Sequence, residues 1–89
     1  MTQTAKRETK ARPVAEVRLA FCKAAIWKND TDSGARYNVT LSRIYRDQEE
    51  EQWQSTTSFG RDDMLIVAEV CRLAYHKIHE LSQDDRDGN

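Results

Sequence analysis

The sequence predicts a small α+β domain: a three- or four-stranded antiparallel sheet followed by one long C-terminal helix. Three observations point there. Period-two alternation runs through "VRLAF" and "RYNVTLSRIYR", with a second β-prone run in "WQSTTSF". Turn chemistry separates these runs, as "NDTDSGA" and "DQEEEQ". From Met64 onward the apolar period lengthens to three and four residues.

The elements follow in chain order. Residues 1–12 are polar, basic and aperiodic, and read as a disordered arm ahead of Pro13. In Val17–Trp27, Val17, Leu19 and Phe21 alternate with Arg18, Ala20 and Cys22, but the phase changes after Phe21. A bulge near residues 22–24 would explain this, turning Lys23, Ala25 and Trp27 to the opposite face. The run could also be two strands, and its alanines allow a helix over Ala15–Ile26 as the alternative. Residues 29–35 form a turn into the clearest strand, where Tyr37, Val39 and Leu41 face one way and Arg36, Asn38, Thr40 and Ser42 the other. A second phase change after Ser42 would put Arg43 and Tyr45 beside Arg36 and turn Ile44 inward. "WQSTTSF" is a polar strand that ends before Gly60.

Asp62 and Asp63 suit the positive end of the helix that follows. Met64, Val67, Ala68, Cys71, Ala74, Tyr75 and Ile78 form its principal stripe, and Leu65, Ile66, Val70 and Leu73 widen it. That is more apolar surface than one small sheet covers, so Leu65, Ile66, Val70 and Leu73 are the expected contacts of a homodimer. Residues 82–89 read as an acidic frayed tail, leaving 13–81 as a single domain.

Net charge is −1, but the halves differ. Residues 1–46 hold ten Lys/Arg against four acids, and residues 47–89 hold four against eleven. An anionic partner would therefore meet the first half. No apolar run is long enough for a membrane helix, and "MTQTAKRETKARP" has no secretory core, so a cytoplasmic location is expected. Cys22 and Cys71 sit in apolar patterns outside any C-x-x-C pair and read as buried reduced thiols.

Catalysis finds little support. There is no Gly-rich phosphate loop, no G-x-S-x-G and no pair of carboxylates in an apolar setting. His76 and His79 are one helical turn apart and could share a metal, but no second ligand group has matching spacing. They read as solvated residues near a helix C-terminus. No enzyme activity, cofactor, metal or small-molecule substrate is expected.

What remains is a strand surface of cations, hydroxyls and flat rings: Lys23, Trp27, Lys28, Arg36, Asn38, Thr40, Arg43 and Tyr45. Single-stranded nucleic acid asks for such parts, cations for phosphates and rings on which bases stack. The leading expectation is non-enzymatic binding of a single strand, DNA rather than RNA. The alternative is a protein-interaction module or small dimeric accessory subunit. On the ordinary reading, Trp27 and Tyr45 are core residues and the arginines are solvated strand positions.

The blocks "KAAIWKN", "RYNVTLSRIYRD" and "SFGRDDMLIVAEV" resemble a family of small bacterial proteins without an assigned activity, over Val14–Ile78. More loosely, strands leading through "SFGRDD" into one long helix resemble the single-stranded DNA-binding fold of positive cofactor four and the whirly proteins. That resemblance implies a dimer with a curved sheet gripping a single strand. The chain departs from the pattern in its acidic helix half, an extra apolar first strand and the absence of a Lys-rich loop.

Overall fold

The structure, a computed structural model, describes residues 12–87. Four antiparallel strands lie side by side in chain order: β1 (Ala15–Leu19), β2 (Cys22–Thr31), β3 (Gly34–Asp47) and β4 (Gln52–Thr56). A 3-10 turn at Arg61–Asp63 leads into the single helix α1, Met64–Asp87. The α+β class is as expected, and the sheet has four strands. The proposed basic arm falls on residues 1–11, outside the described residues, and on Arg12, which precedes β1. The helix runs on through residues 82–87, where the sequence reading placed a frayed tail; the ladder of i to i−4 bonds continues through its polar residues.

The phase change after Phe21 is a hairpin, as the two-strand alternative has it, and not a bulge. Leu19 pairs with Cys22, so Ala20 and Phe21 form a two-residue loop and the chain reverses. Ala20 carries a positive φ, 55°, as the tight two-residue loops of β-hairpins require. The next turn is shorter than expected. β2 and β3 stay paired to Thr31–Gly34, leaving only Asp32 and Ser33 as loop. The Thr31 hydroxyl closes it by donating to the Gly34 carbonyl at 2.6 Å and accepting from the Ser33 N–H at 3.2 Å. At the acidic hairpin tip, Asp47 Oδ1 accepts from the N–H groups of Glu49 and Glu50 at 3.0 and 3.4 Å, as an Asx-type turn does.

Because cross-strand partners share a face, the register fixes the two sides of the sheet. The inner side presents Val17 of β1, Cys22, Ala24 and Ile26 of β2, and Leu41 of β3. Val70 and Ala74 of α1 pack on it, and with Cys22, Ala24 and Ile26 they make the fully buried core. Phe59, Ile66, Val67, Ile78 and Leu81 close its margins. The helix lies chiefly over β2 and β1, so the inner sides of β3 and β4 are only partly covered. Cys22 is buried, as expected; Cys71 is exposed, because its position on the helix points away from the sheet. Burial pushes the Cys22 thiol pKa up, and the nearby Asp63 carboxylate adds to this while Arg43 opposes it.

The molecule is thin, 16 Å in its smallest Cα extent against 51 Å in its longest. Its radius of gyration, 15.4 Å, exceeds the roughly 12 Å of a compact chain of this length. No helix among the described residues is long and apolar enough to cross a membrane.

Candidate nucleic-acid interface

The outer side of the sheet is the one α1 does not cover. Register places on it Glu16 and Arg18 of β1, Lys23, Ala25, Trp27 and Asn29 of β2, and Arg36, Asn38, Thr40, Ser42, Ile44 and Arg46 of β3. Trp53 and Ser55 of β4 complete it. The helix-facing phase takes Val17, Ala24, Ile26 and Leu41, and most of the strand cations and hydroxyls are left to this outer phase.

Five of the eight expected nucleic-acid residues lie on this face: Lys23, Trp27, Arg36, Asn38 and Thr40. Trp27 and Thr40 are joined, with Trp27 Nε1 donating to Thr40 Oγ1 at 3.0 Å. Asn38 is the direct cross-strand partner of Trp27 and Thr40 is that of Ala25, so this bond runs diagonally. Ala25, the partner of Thr40, is only 6% exposed although its phase is outward. Trp27 itself is half-buried, offering the solvent part of one ring. Lys23 Nζ lies 3.8 Å from Glu16, a long contact between partly exposed groups and a weak tether.

The other three are not on this face. Lys28 shares the phase of Ala24 and Ile26 and pairs in register with Tyr37. Arg43 and Tyr45 also belong to the helix side, because β3 pairs with β2 and β4 without a slip and the second phase change does not occur. Arg43 is a structural residue. Its guanidinium donates to the Ser58 carbonyl from Nε and Nη2, at 3.1 and 3.0 Å. Nε also lies 3.3 Å from Asp63 Oδ2, and the group sits 5.8 Å from the Tyr45 ring centroid. Asp63 accepts from the Gly60 N–H at 2.8 Å, so Arg43 and Asp63 together hold the chain as it leaves the sheet and enters the helix. Asp62 reaches only Arg61, 3.7 Å away, and both side chains are almost wholly solvated.

Two aromatic residues that sequence reading did not assign to the face belong to it. Phe21 lies opposite Ile44, whose N–H donates to the Phe21 carbonyl at 3.0 Å. Trp53 pairs with Arg46 on the far side of β3. The two rings meet across that strand, with centroids 6.0 Å apart and planes tilted by 30°. They remain 57% and 55% exposed. Their position accounts for Ile44, an apolar residue in the wet phase: it sits between the two ring-bearing positions and is half-buried. Arg18, paired with Lys23, and Arg46 extend the basic surface. Among the described residues of this face, Arg18, Lys23, Arg36 and Arg46 stand against Glu16 alone.

The four residues expected at a dimer contact do not share one exposed face. Val70 is fully buried in the core, and Ile66 packs against that core. Leu73 is half-buried, and Leu65 is 84% exposed. At 100° per residue Val70 lies about 140° around the helix from Leu65, which is why one points at the sheet and the other away. The large apolar side chains that α1 leaves to solvent are Met64, Leu65 and Tyr75, so Leu65 alone of the four expected contacts is among them. Tyr75 touches His76 edge-on, at 5.4 Å between centroids. Among the described residues no three His, Cys, Asp or Glu side chains gather as a metal group would.

No protein-family model, curated protein or solved structure matches this chain.

Proposed function

We propose that the outer face of the sheet binds single-stranded nucleic acid without catalysis, with DNA the first ligand to test. The observation that supports this reading most strongly is the gathering of exposed rings and an excess of cations on the one face the helix leaves open. Lys23, Arg36 and Arg46 would neutralise phosphates, Asn38, Thr40 and Ser42 would bond to sugar and base edges, and the rings would take bases. A duplex keeps its bases stacked on one another and could use only the cations. The cytoplasmic location belongs to the same proposal, and the exposed free thiol of Cys71 suits a reducing compartment.

Fluorescence anisotropy with a labelled oligothymidine and with a duplex of similar length tests it. The single strand should bind more tightly, and its log affinity should fall with log salt by about 0.7 per phosphate neutralised. Arg36→Ala should reduce that slope by somewhat under one unit. Folded protein that shows no salt-sensitive affinity for any single strand at low ionic strength would end this reading.

A second reading rests on the helix. Leu65 and Tyr75, 84% and 70% exposed, stand on the side away from the sheet. Among the described residues the core has five fully buried members, thin for independent stability. A second copy of the chain, always present at equal concentration, is the occupant we propose for that helix surface. Light scattering should give twice the monomer mass of 10.3 kDa, and Leu65→Glu should return the monomer. A wild-type monomer at micromolar concentration would leave the sheet face as the sole candidate interface.

A further inference from the structure

We infer that the outer face carries two separate stacking stations, the Phe21–Trp53 ring pair and Trp27, and that a single strand must be long enough to reach both before it binds at full strength. This deepens the nucleic-acid reading and rests on it.

The register supplies the spacing. Trp53 pairs with Arg46 and Trp27 with Asn38, eight residues apart on β3. At about 3.3 Å per residue and roughly 4.8 Å between strands, the backbone positions of Trp53 and Trp27 lie some 28 Å apart, an upper limit for the separation of the rings because Trp27 reaches toward Thr40 and Trp53 toward Phe21. A stacked strand at about 3.4 Å per nucleotide covers that in at most roughly eight nucleotides. A more extended strand needs fewer, and both values fall within the ~4–16 nucleotides that single-strand sheet sites take up.

The stations differ in character. Phe21 and Trp53 are both more than half exposed and lie across β3 from one another, so a base can stack on either ring without displacing anything. Arg46 stands beside Trp53 in register, and Lys23 is two residues from Phe21, so phosphates on either side of a stacked base would find a cation. Trp27 is half-buried and tied to Thr40, with Arg36 nearby on β3. It offers less ring surface and would add affinity only once the first station holds the strand. Lys23, Thr40 and Ser42 lie between the two stations and mark the path. The bare phosphate attraction belongs to the whole face; the rings add the preference for unpaired bases.

The test is a length series of oligothymidines, about 4, 8 and 12 nucleotides, with wild type, Trp53→Ala and Trp27→Ala. Both variants are first checked for an unchanged circular dichroism spectrum and melting curve. Trp53→Ala should weaken binding about tenfold at every length. Trp27→Ala should weaken the 12-mer by about tenfold and the 4-mer by clearly less. A 12-mer of abasic residues, which keeps its phosphates and lacks its rings, should bind wild type and Trp53→Ala equally. If no oligonucleotide binds at any length, the nucleic-acid reading itself falls. If the 12-mer binds but the two tryptophan variants match wild type at all lengths, that reading survives and the two-station inference is overturned. A proline-rich peptide that quenches Trp53 without competing with the 12-mer would assign the ring pair to peptide recognition and overturn it as well.

Discussion

Ile26→Ala should remove about 2–4 kcal/mol of stability, a large fraction of what a domain of this size has. Ile26 is fully buried at the centre of the sheet, under α1, in the cluster with Ala24, Val70 and Ala74. Its neighbours are already small. Two of the five core residues are alanines, so little side-chain volume can move in to fill a cavity. The informative control is Val39→Ala. Val39 is the register partner of Ile26, on the same side of the sheet, yet it is 39% exposed. The two positions differ in whether the helix lies over them. Val39→Ala should therefore cost less than about 1 kcal/mol. Urea unfolding of both variants measures the difference. Equal costs would mean that something else covers Val39, as a second copy packed against the open inner side of β3 would.

The same asymmetry decides what the sequence could disclose. The strands of β3 and β4, the acidic tip and the start of α1 were legible because each carries its own local signal: alternation, Asx-type turn residues, and acids at a helix N-terminus. The hairpin between β1 and β2 was legible only as the two-strand alternative. Its loop is Ala20–Phe21, with none of the Gly, Asn or Asp that announce such a turn, and Ala20 takes the positive φ regardless. A reversal there and a bulge leave the same trace in the alternation, a change of phase. The end of α1 was misread for a related reason, since a helix can continue through polar residues that have no core to face.

The site was partly legible for the same local reasons. Arg36, Asn38 and Thr40 share a phase that reads directly from "RYNVTLS", and they lie together on the outer face. The error began at Ile44. An apolar residue in the wet phase invites a phase shift, and the shift sweeps Arg43 and Tyr45 onto the wrong side. In the structure Ile44 stays outward because Phe21 and Trp53, from two other strands, flank it. That shelter is a tertiary arrangement and leaves no mark within "SRIYR". The signal that could have found it was simple continuity: without the shift, Arg46 falls in the phase of Arg36, and Trp53 opposite Arg46 follows from the hairpin. Of the expected dimer residues, Val70 and Ile66 failed on helical phase, while Leu65 is exposed. Val70 and Leu65 are both apolar, but only their angular positions tell which one the sheet consumes.

Reversing two charges on the outer face, Lys23→Glu with Arg46→Glu, should lower affinity for a single strand by about two orders of magnitude near 50 mM salt. Each cation that ceases to neutralise a phosphate removes about 0.7 from the slope of log affinity on log salt, and two removed at that concentration amount to roughly a 70-fold loss before any repulsion from the new carboxylates. Neither side chain is part of the core, so folding should be unaffected. Lys23 gives up only its long contact with Glu16, and Arg46 is exposed. Arg43→Ala provides the opposite pattern. Arg43 lies on the helix side, bonded to Ser58 and Asp63, so its loss should lower stability by about 1–3 kcal/mol while leaving the salt slope of the folded protein unchanged. The comparison separates a cation that meets phosphate from one that fastens the helix to the sheet. It also tests the continuous register of β3, since only a strand without a slip puts Arg46 outward and Arg43 inward. Undiminished binding in the double reversal, or a reduced salt slope in folded Arg43→Ala, would move the nucleic-acid interface off the outer face.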